Sequence, residues 1–409
     1  MNTSSSEARV PRHVLPIIVA AQFAGTSLWF AGNAVVDDIA RVAGAPAGAI
    51  GAITTAVQLG FIVGTLAYAA ALISDRFSPS RVFLVSAVLG ALCNAAGALG
   101  FGWAESLGLS QYTGALLLRF ATGFFLAGVY PVGMKLAADW FAAGLGRALG
   151  FLVGALVLGT ALPHLVRATV GDLQWQAVLV ATSLLAVAGG LAVQFGVRDG
   201  PHRRRSGSFR PKAIIAAFRE TEFRSAALGY FGHMWELYAF WAFVPVVLAA
   251  RVTAAAPATI SALAFVVIAL GGLGCVLGGY VALRSGSGMV AVAALTVSGV
   301  LCLASPLVMV APLPVFMGLL AMWGFAVVAD SPQFSTLVAR NARPEIRGSA
   351  LTLVNCIGFA ITIPSIQLLT AVSARLAPQW PLLFLAVGPV LGLLAMRRLV
   401  RPAAEQLAP

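Results

Sequence analysis

The sequence predicts an all-α integral membrane protein, with twelve transmembrane helices in two pseudo-symmetric six-helix bundles. Three observations carry that prediction. The 409-residue chain is 60% hydrophobic and only 10% charged, where a soluble domain carries about 25% charged residues. Apolar runs of roughly 20 residues recur along it, each long enough to cross a ~30 Å hydrocarbon core as a helix. Prolines and glycines also repeat at one fixed spacing between the two halves. In lipid every backbone N–H and C=O must be satisfied within its own segment, which selects helices. The strand-length alternation of a membrane barrel is absent.

The expected spans lie near 14–36, 48–72, 81–102, 112–134, 147–167, 175–196, 225–249, 258–282, 288–309, 313–338, 349–371 and 380–396. Linkers are short except 197–224, "VRDGPHRRRSGSFRPKAIIAAFRETEFR", which is polar and basic. It separates a first bundle (1–196) from a second (225–409).

Charge sets the orientation. With the N-terminus cytoplasmic, Arg41, Arg167, Arg251 and Arg375 fall on the outer side, and Arg119 falls within a span. The remaining Lys and Arg fall on the inner side, among them those of a cytoplasmic basic linker. This is a positive-inside pattern. It predicts a multi-pass protein of the bacterial inner membrane with both termini cytoplasmic. It also accounts for the +12 net charge without a nucleic-acid partner; the basic linker suits anionic lipid head groups. The first apolar run is too long for a signal peptide's core and is read as a retained span. The four cysteines (Cys93, Cys275, Cys302, Cys356) fall in spans far apart in sequence, with no CxxC. They read as small apolar filler, with neither a disulfide nor a metal site expected.

The halves read as copies. A shift of 201 residues lays "GFFLAGVYP" (123–131) on "GFAVVADSP" (324–332), matching Gly123 with Gly324, Phe124 with Phe325 and Pro131 with Pro332. The same shift carries Pro163 onto Pro364, and "ISDRFSPSR" (73–81) has an echo in "VALRSGSG" (281–288). Parallel six-helix repeats are a transporter architecture.

On these residues the chain resembles the major facilitator superfamily. The loop after span 2, "ALISDRFSPSR", keeps Asp75, Arg76 and Arg81 of that family's G-x-L-x-D-R-x-G-R-[RK] motif, with Ala71 and Ser78 in place of its glycines. Span 4 carries R-x-x-x-G-x-x-x-A as Arg119, Gly123 and Ala127. The antiporter motif of span 5 is reduced to Gly150 and Gly154, with Ala155 where the family has proline. "GHMWELY" and "VVADSPQF" are similar to a bacterial group related to nitrate and cyanate porters. The resemblance implies alternating access around a cavity lined by spans 1, 4, 7 and 10. It implies a gating role for Asp75, Arg76 and Arg81 at the inner ends of the bundles. The competing reading of that loop is an ordinary solvated charge pair.

Three charges sit inside spans, at a cost on the order of 3 kcal/mol each, so each needs a reason to stay. Glu236 lies twelve residues into span 7, which is roughly 18 Å of helix and near mid-bilayer. His233 is its i, i+3 neighbour. The pair reads either as a proton-coupling carboxylate with a histidine partner or as a static lock. Asp330 precedes Ser331 and Pro332 in span 10, where the proline frees backbone polar groups. It reads as a group of the central pathway, as a structural bond or as an inner gate. Arg119 reads either as the partner of an acid or as a site for a carboxylate or other oxyanion. Gln22, Thr26, Asn33, Gln58 and Asn355 are candidate cavity polar groups, and Trp235 and Tyr238 candidate aromatic walls. His164 reads as structural, and "GGLGCVLGG" (271–279) as a packing stripe, not a phosphate loop.

No nucleotide motif or catalytic constellation appears; an enzyme is not expected, nor a cofactor. The expected partners are a small-molecule substrate, protons and the lipid bilayer. The absence of an assembly domain suits a monomer. The leading reading is a proton-coupled secondary transporter of a small organic anion. The alternatives are an exporter of amphiphilic compounds and a membrane sensor that binds solute without moving it.

Overall fold

The computed structural model describes residues 10–141, 145–171, 174–203, 215–343 and 346–397. Of the basic residues behind the charge asymmetry, Arg9, Arg204, Arg205, Arg210, Lys212, Arg398 and Arg401 lie outside them. Among the described residues, ten helices are long and apolar enough to cross a membrane. The expected first and last spans are shorter apolar helices, Val14–Thr26 and Pro381–Met396. The twelve segments keep their sequence numbers below.

Spans 2, 3, 5, 6, 7, 8, 9 and 11 are continuous through their apolar runs, and several run beyond the expected limits. Span 7, expected over 225–249, covers Thr221–Arg251. Three segments break. Span 1 stops at Thr26, resumes as Ala31–Ala34, and leads into Val36–Ala43. Span 4 is Gln111–Leu126 followed by Tyr130–Trp140. Span 10 is Leu313–Ala326 followed by Ser331–Asn341. The last two breaks fall on the repeated motif, with Pro131 and Pro332 at the start of each second helix, where a missing N–H costs nothing.

The repeat extends to packing. A Cβ on Gly123 would collide with the carbonyl of Val57 in span 2, and one on Gly324 with the carbonyl of Val267 in span 8. These matched glycines let spans 2 and 4, and spans 8 and 10, meet backbone to backbone. The glycine stripe of span 8 does the same work: Gly271, Gly274 and Gly278 face span 10 and Gly272 faces Gly154 of span 5.

The halves meet along two seams, span 5 against span 8 and span 2 against span 11. One face of the molecule carries Arg76, Lys135 and Arg147 and is called the basic face below. On the opposite face, the second seam is shut by Gln367 Nε2, which donates to Thr55 Oγ1 at 2.8 Å. Thr370 packs there against Gly48 and Gly51.

Candidate functional site

Span 7 carries the acid-bearing centre. Glu236 is 1% exposed. Its Oε2 accepts from Ser298 Oγ at 2.9 Å, and its Oε1 from Trp323 Nε1 at 2.6 Å and Cys302 Sγ at 3.3 Å. Spans 9 and 10 therefore hold it with three neutral donors. Two expectations change here. His233 does not bond Glu236; its Nδ1 lies 2.8 Å from Asp330 Oδ1. Neighbours at i and i+3 diverge by about 60° around the helix axis, enough to turn the two side chains toward different partners. Nor is Cys302 filler, since its thiol donates to the carboxylate. Cys275 likewise donates to the carbonyl of Val328, at 3.2 Å, in the break before Pro332.

His233 and Asp330 are each 1% exposed. The imidazole lies beside Tyr230 and Phe334, with ring centroids 6.0 and 5.7 Å away. His233 Nε2 and Asp330 Oδ2 have no partner among the described residues, and the approach of His233 Nδ1 to Asp330 Oδ1 is a close contact that lacks hydrogen-bond alignment. Both acids thus have their contacts within the second half, rather than lining a cavity between the halves.

Arg119 departs from the reading that pairs it with an acid. It is 4% exposed and pairs with no acid among the described residues. Its Nη1 donates to Asn94 Oδ1 at 2.9 Å, and its Nη2 to the carbonyls of Leu28, at 3.1 Å, and Trp29. Those carbonyls belong to the break in span 1. A guanidinium presents a fork of donors, and here it replaces the helix bonds that span 1 lacks. Asn94 gives its amide to span 6, at Leu179 O, Thr182 Oγ1 and Ser183 Oγ. Arg119 therefore ties four spans together, and its Nε has no partner among the described residues.

Where the halves join, aromatic rings fill the centre. Trp29 and Phe61 of the first half meet Tyr238 and Phe359 of the second. The Trp29 and Phe359 rings stack at 5.4 Å, and Phe61 lies 4.5 Å from Phe359. Tyr238 lies 5.1 Å from Phe359 and 5.2 Å from Trp241. Trp29 Nε1 donates to Gln58 Oε1 at 3.1 Å. Gln58 Nε2 and Trp241 Nε1 are buried donors without a partner among the described residues. Neither Phe61 nor Phe359 stood out in the sequence, because phenylalanine in an apolar run carries no signal of its own.

The other expected cavity groups are scattered. Gln22 is fully buried, and its amide makes no bond among the described residues. Thr26 donates to the Gln22 carbonyl at 2.8 Å within its own helix. Asn33 Nδ2 donates to Thr54 Oγ1 at 2.6 Å, joining spans 1 and 2. Trp235 turns away from the centre and donates to Phe384 O of the last segment at 3.2 Å, because its position lies on another face of span 7 from Tyr238. Asn355 is half-buried and makes no side-chain bond among the described residues. His164 is buried, and its Nε2 has no partner among the described residues.

On the basic face, Leu72 turns the chain through the left-handed region, φ 52°, into the short helix Ile73–Arg76. Asp75 accepts from Lys135 of span 4. Arg76 and Arg81 are exposed and make no side-chain bond among the described residues. The strand of chain after span 6 completes the cluster. Ser78 Oγ donates to Asp199 Oδ1 at 2.7 Å, Arg203 donates to Phe77 O at 2.8 Å, and Trp140 Nε1 donates to Arg198 O at 2.8 Å. All these partners belong to the first half or the start of the linker. The expected clasp between halves is thus a clasp within one half.

A helical membrane protein with two matched broken repeats, and acids and a cation buried beneath the breaks, has the build of a secondary transporter. The chain belongs to the Major Facilitator Superfamily, whose family model matches residues 17–355. Among solved structures it is similar to a bacterial homolog of the human lysosomal transporter Spinster in an inward-facing, occupied conformation. The TM-score is 0.71 at 14% identity, over 97% of this chain and 98% of that one. It is also similar to the proton:xylose symporter XylE bound to 6-bromo-6-deoxy-D-glucose. There the TM-score is 0.70 at 16% identity, over 95% and 96% of the two chains. No curated protein matches it in sequence. At these identities the likeness is one of fold.

Proposed function

We propose that this protein moves a small ring-bearing solute, neutral or cationic, across the bacterial inner membrane by proton-coupled alternating access. One observation carries the reading: a single unbroken helix, Thr221–Arg251, bears both the acid-bearing centre and the ring that meets the first half. Glu236 sits two residues from Tyr238, so a change in the carboxylate's bonds acts on the junction through one rigid element. Glu236 is held by neutral donors alone. It can gain or lose a proton without breaking an ion pair, whereas the His233–Asp330 contact must rearrange when either group changes charge.

The substrate class follows from what the junction offers. Aromatic faces, together with the free donors Gln58 Nε2 and Trp241 Nε1, suit a ring with oxygen or nitrogen acceptors. The organic-anion reading rested on Arg119, whose guanidinium is engaged by the broken span 1. An amphiphilic or drug-like substrate is the better fit. In proteoliposomes, an imposed pH gradient should drive accumulation by the wild type. Glu236→Gln should retain exchange and lose accumulation. Accumulation by that variant at the wild-type level overturns the coupling role. A thermal-shift screen in which carboxylates protect and aromatic amines or neutral aromatics do not overturns the substrate class.

A further inference from the structure

A lipid-facing groove opens at the seam between spans 5 and 8, toward the basic face. Deep in the seam the backbones nearly touch: a Cβ on Gly154 would lie 3.2 Å from the carbonyl oxygen of Gly272, and the reverse distance is the same. Toward the basic face the helices part. A Cβ on Gly150 would meet nothing nearer than 3.9 Å, and one on Gly279 nothing within 4 Å. The groove is lined by Arg147, Gly150 and Phe151 of span 5 and by Val276, Gly279, Tyr280 and Leu283 of span 8.

Its charge is unbalanced. Spans 5 and 8 contain no Asp or Glu over 145–170 and 257–285. Arg147 is exposed and makes no hydrogen bond or ion pair among the described residues, and Arg284, next along from Leu283, is in the same position. The walls are apolar and open to the outside of the molecule, with Tyr280 and Leu283 at 49% and 73% exposure. An apolar slot ending in an uncompensated cation at the level of the head groups is complementary to an anionic amphiphile.

We infer that this groove is a binding site for an anionic phospholipid, its phosphate on Arg147 and an acyl chain between Phe151, Val276 and Leu283. A free phosphate would leave those walls uncovered. The lipid would touch both halves at the seam, where alternating access requires them to move, so its occupancy would bias that movement. The site is independent of what the protein carries.

The test uses purified full-length protein in detergent, with lipid retention read by native mass spectrometry and stability by thermal shift. Phosphatidylglycerol should be retained and should protect, while phosphatidylcholine and inorganic phosphate should not. Arg147→Gln should weaken phosphatidylglycerol binding by about fivefold. Gly279→Leu, which enters open space and leaves the helix packing intact, should displace the chain and lower binding at unchanged stability without lipid. Equal protection by phosphatidylcholine removes the charge recognition. Equal protection by inorganic phosphate removes the lipid. Wild-type retention of phosphatidylglycerol by both variants places the lipid elsewhere and overturns the site.

Discussion

Spans 4 and 10 are the same device put to opposite uses. Each breaks for three or four residues near the middle of its run, each restarts at a proline, and each uses one glycine to press against a partner backbone. Their polar contents differ. Span 4 carries Arg119, and the shift of 201 residues puts Leu320 at that place in span 10. Span 10 carries Asp330, where span 4 has Val129. The partner helices differ to match. Span 1 is broken and offers carbonyls to Arg119; span 7 is unbroken and offers side chains, Glu236 and His233. A repeat preserves what the backbone needs, because a misplaced break costs every bond around it. The side chains beneath the break are under no such constraint and are free to diverge.

The sharpest way to break this comparison is at Glu236. If the second half holds the proton chemistry, Glu236→Gln should abolish accumulation under a pH gradient, and no neutral substitution in the first half should do so. Gln22→Leu in span 1 is the control, with both uptake and exchange measured in the same vesicles. Accumulation lost in the control and kept in Glu236→Gln would reverse the assignment.

Arg119 comes next. Arg119→Leu leaves the Leu28 and Trp29 carbonyls and the Asn94 amide oxygen without their donor. Unpaired buried acceptors cost about 1–3 kcal/mol each. A loss of about 3 kcal/mol should appear as a lower midpoint in thermal unfolding. Arg119→Lys should recover part of it, since one ammonium reaches fewer acceptors. A structural cation affects stability with or without solute. If Arg119→Leu is as stable as wild type and loses only ligand protection, the cation belongs to a binding site after all.

Much of this was legible in the sequence, for an identifiable reason. A charge inside an apolar run is conspicuous, so Arg119, Glu236 and Asp330 announced themselves. Pro332 marked a disturbed helix in span 10, and its repeat Pro131 marks the matching break in span 4. What failed was partner choice. Ser298, Cys302 and Trp323 are ordinary residues of apolar helices, and only the rotation of spans 9 and 10 aims them at Glu236. The break in span 1 was invisible for a related reason. No proline lies in "TSLWFAG" (26–32); the non-helical turn is stabilised by a guanidinium from another span. Trp235 was placed at the centre because the family resemblance puts span 7 on the cavity, yet Trp235 lies about 100° around the helix from Glu236 and about 60° from Tyr238, enough to turn it toward the last segment.

Gly123 and Gly324 test the shared part of the comparison. Each faces a carbonyl of the paired span, Val57 and Val267. Gly123→Val and Gly324→Val should therefore destabilise by similar amounts, about 1–3 kcal/mol, the usual cost of overpacking. Unequal midpoints by thermal unfolding, with one variant unaffected, would show that the matched backbone approach serves only one half.

The smallest effect belongs to Asp75. The family motif implies a clasp between the halves, but the carboxylate accepts from Lys135 of its own half, and Arg203 bonds the same loop through Phe77 O. The side chains of Lys135 and Asp75 are 17% and 10% exposed, so the pair is partly screened and contributes about 1 kcal/mol. A double-mutant cycle on Asp75→Asn and Lys135→Gln should return a coupling of that size in thermal unfolding, because each partner reports on the other. Spin labels placed across the seam of spans 2 and 11 should show the same distance distribution in wild type and Asp75→Asn. A shift of that distribution toward separated halves would mean that the carboxylate reaches the second half in another conformation, and that the clasp changes partners as the transporter cycles.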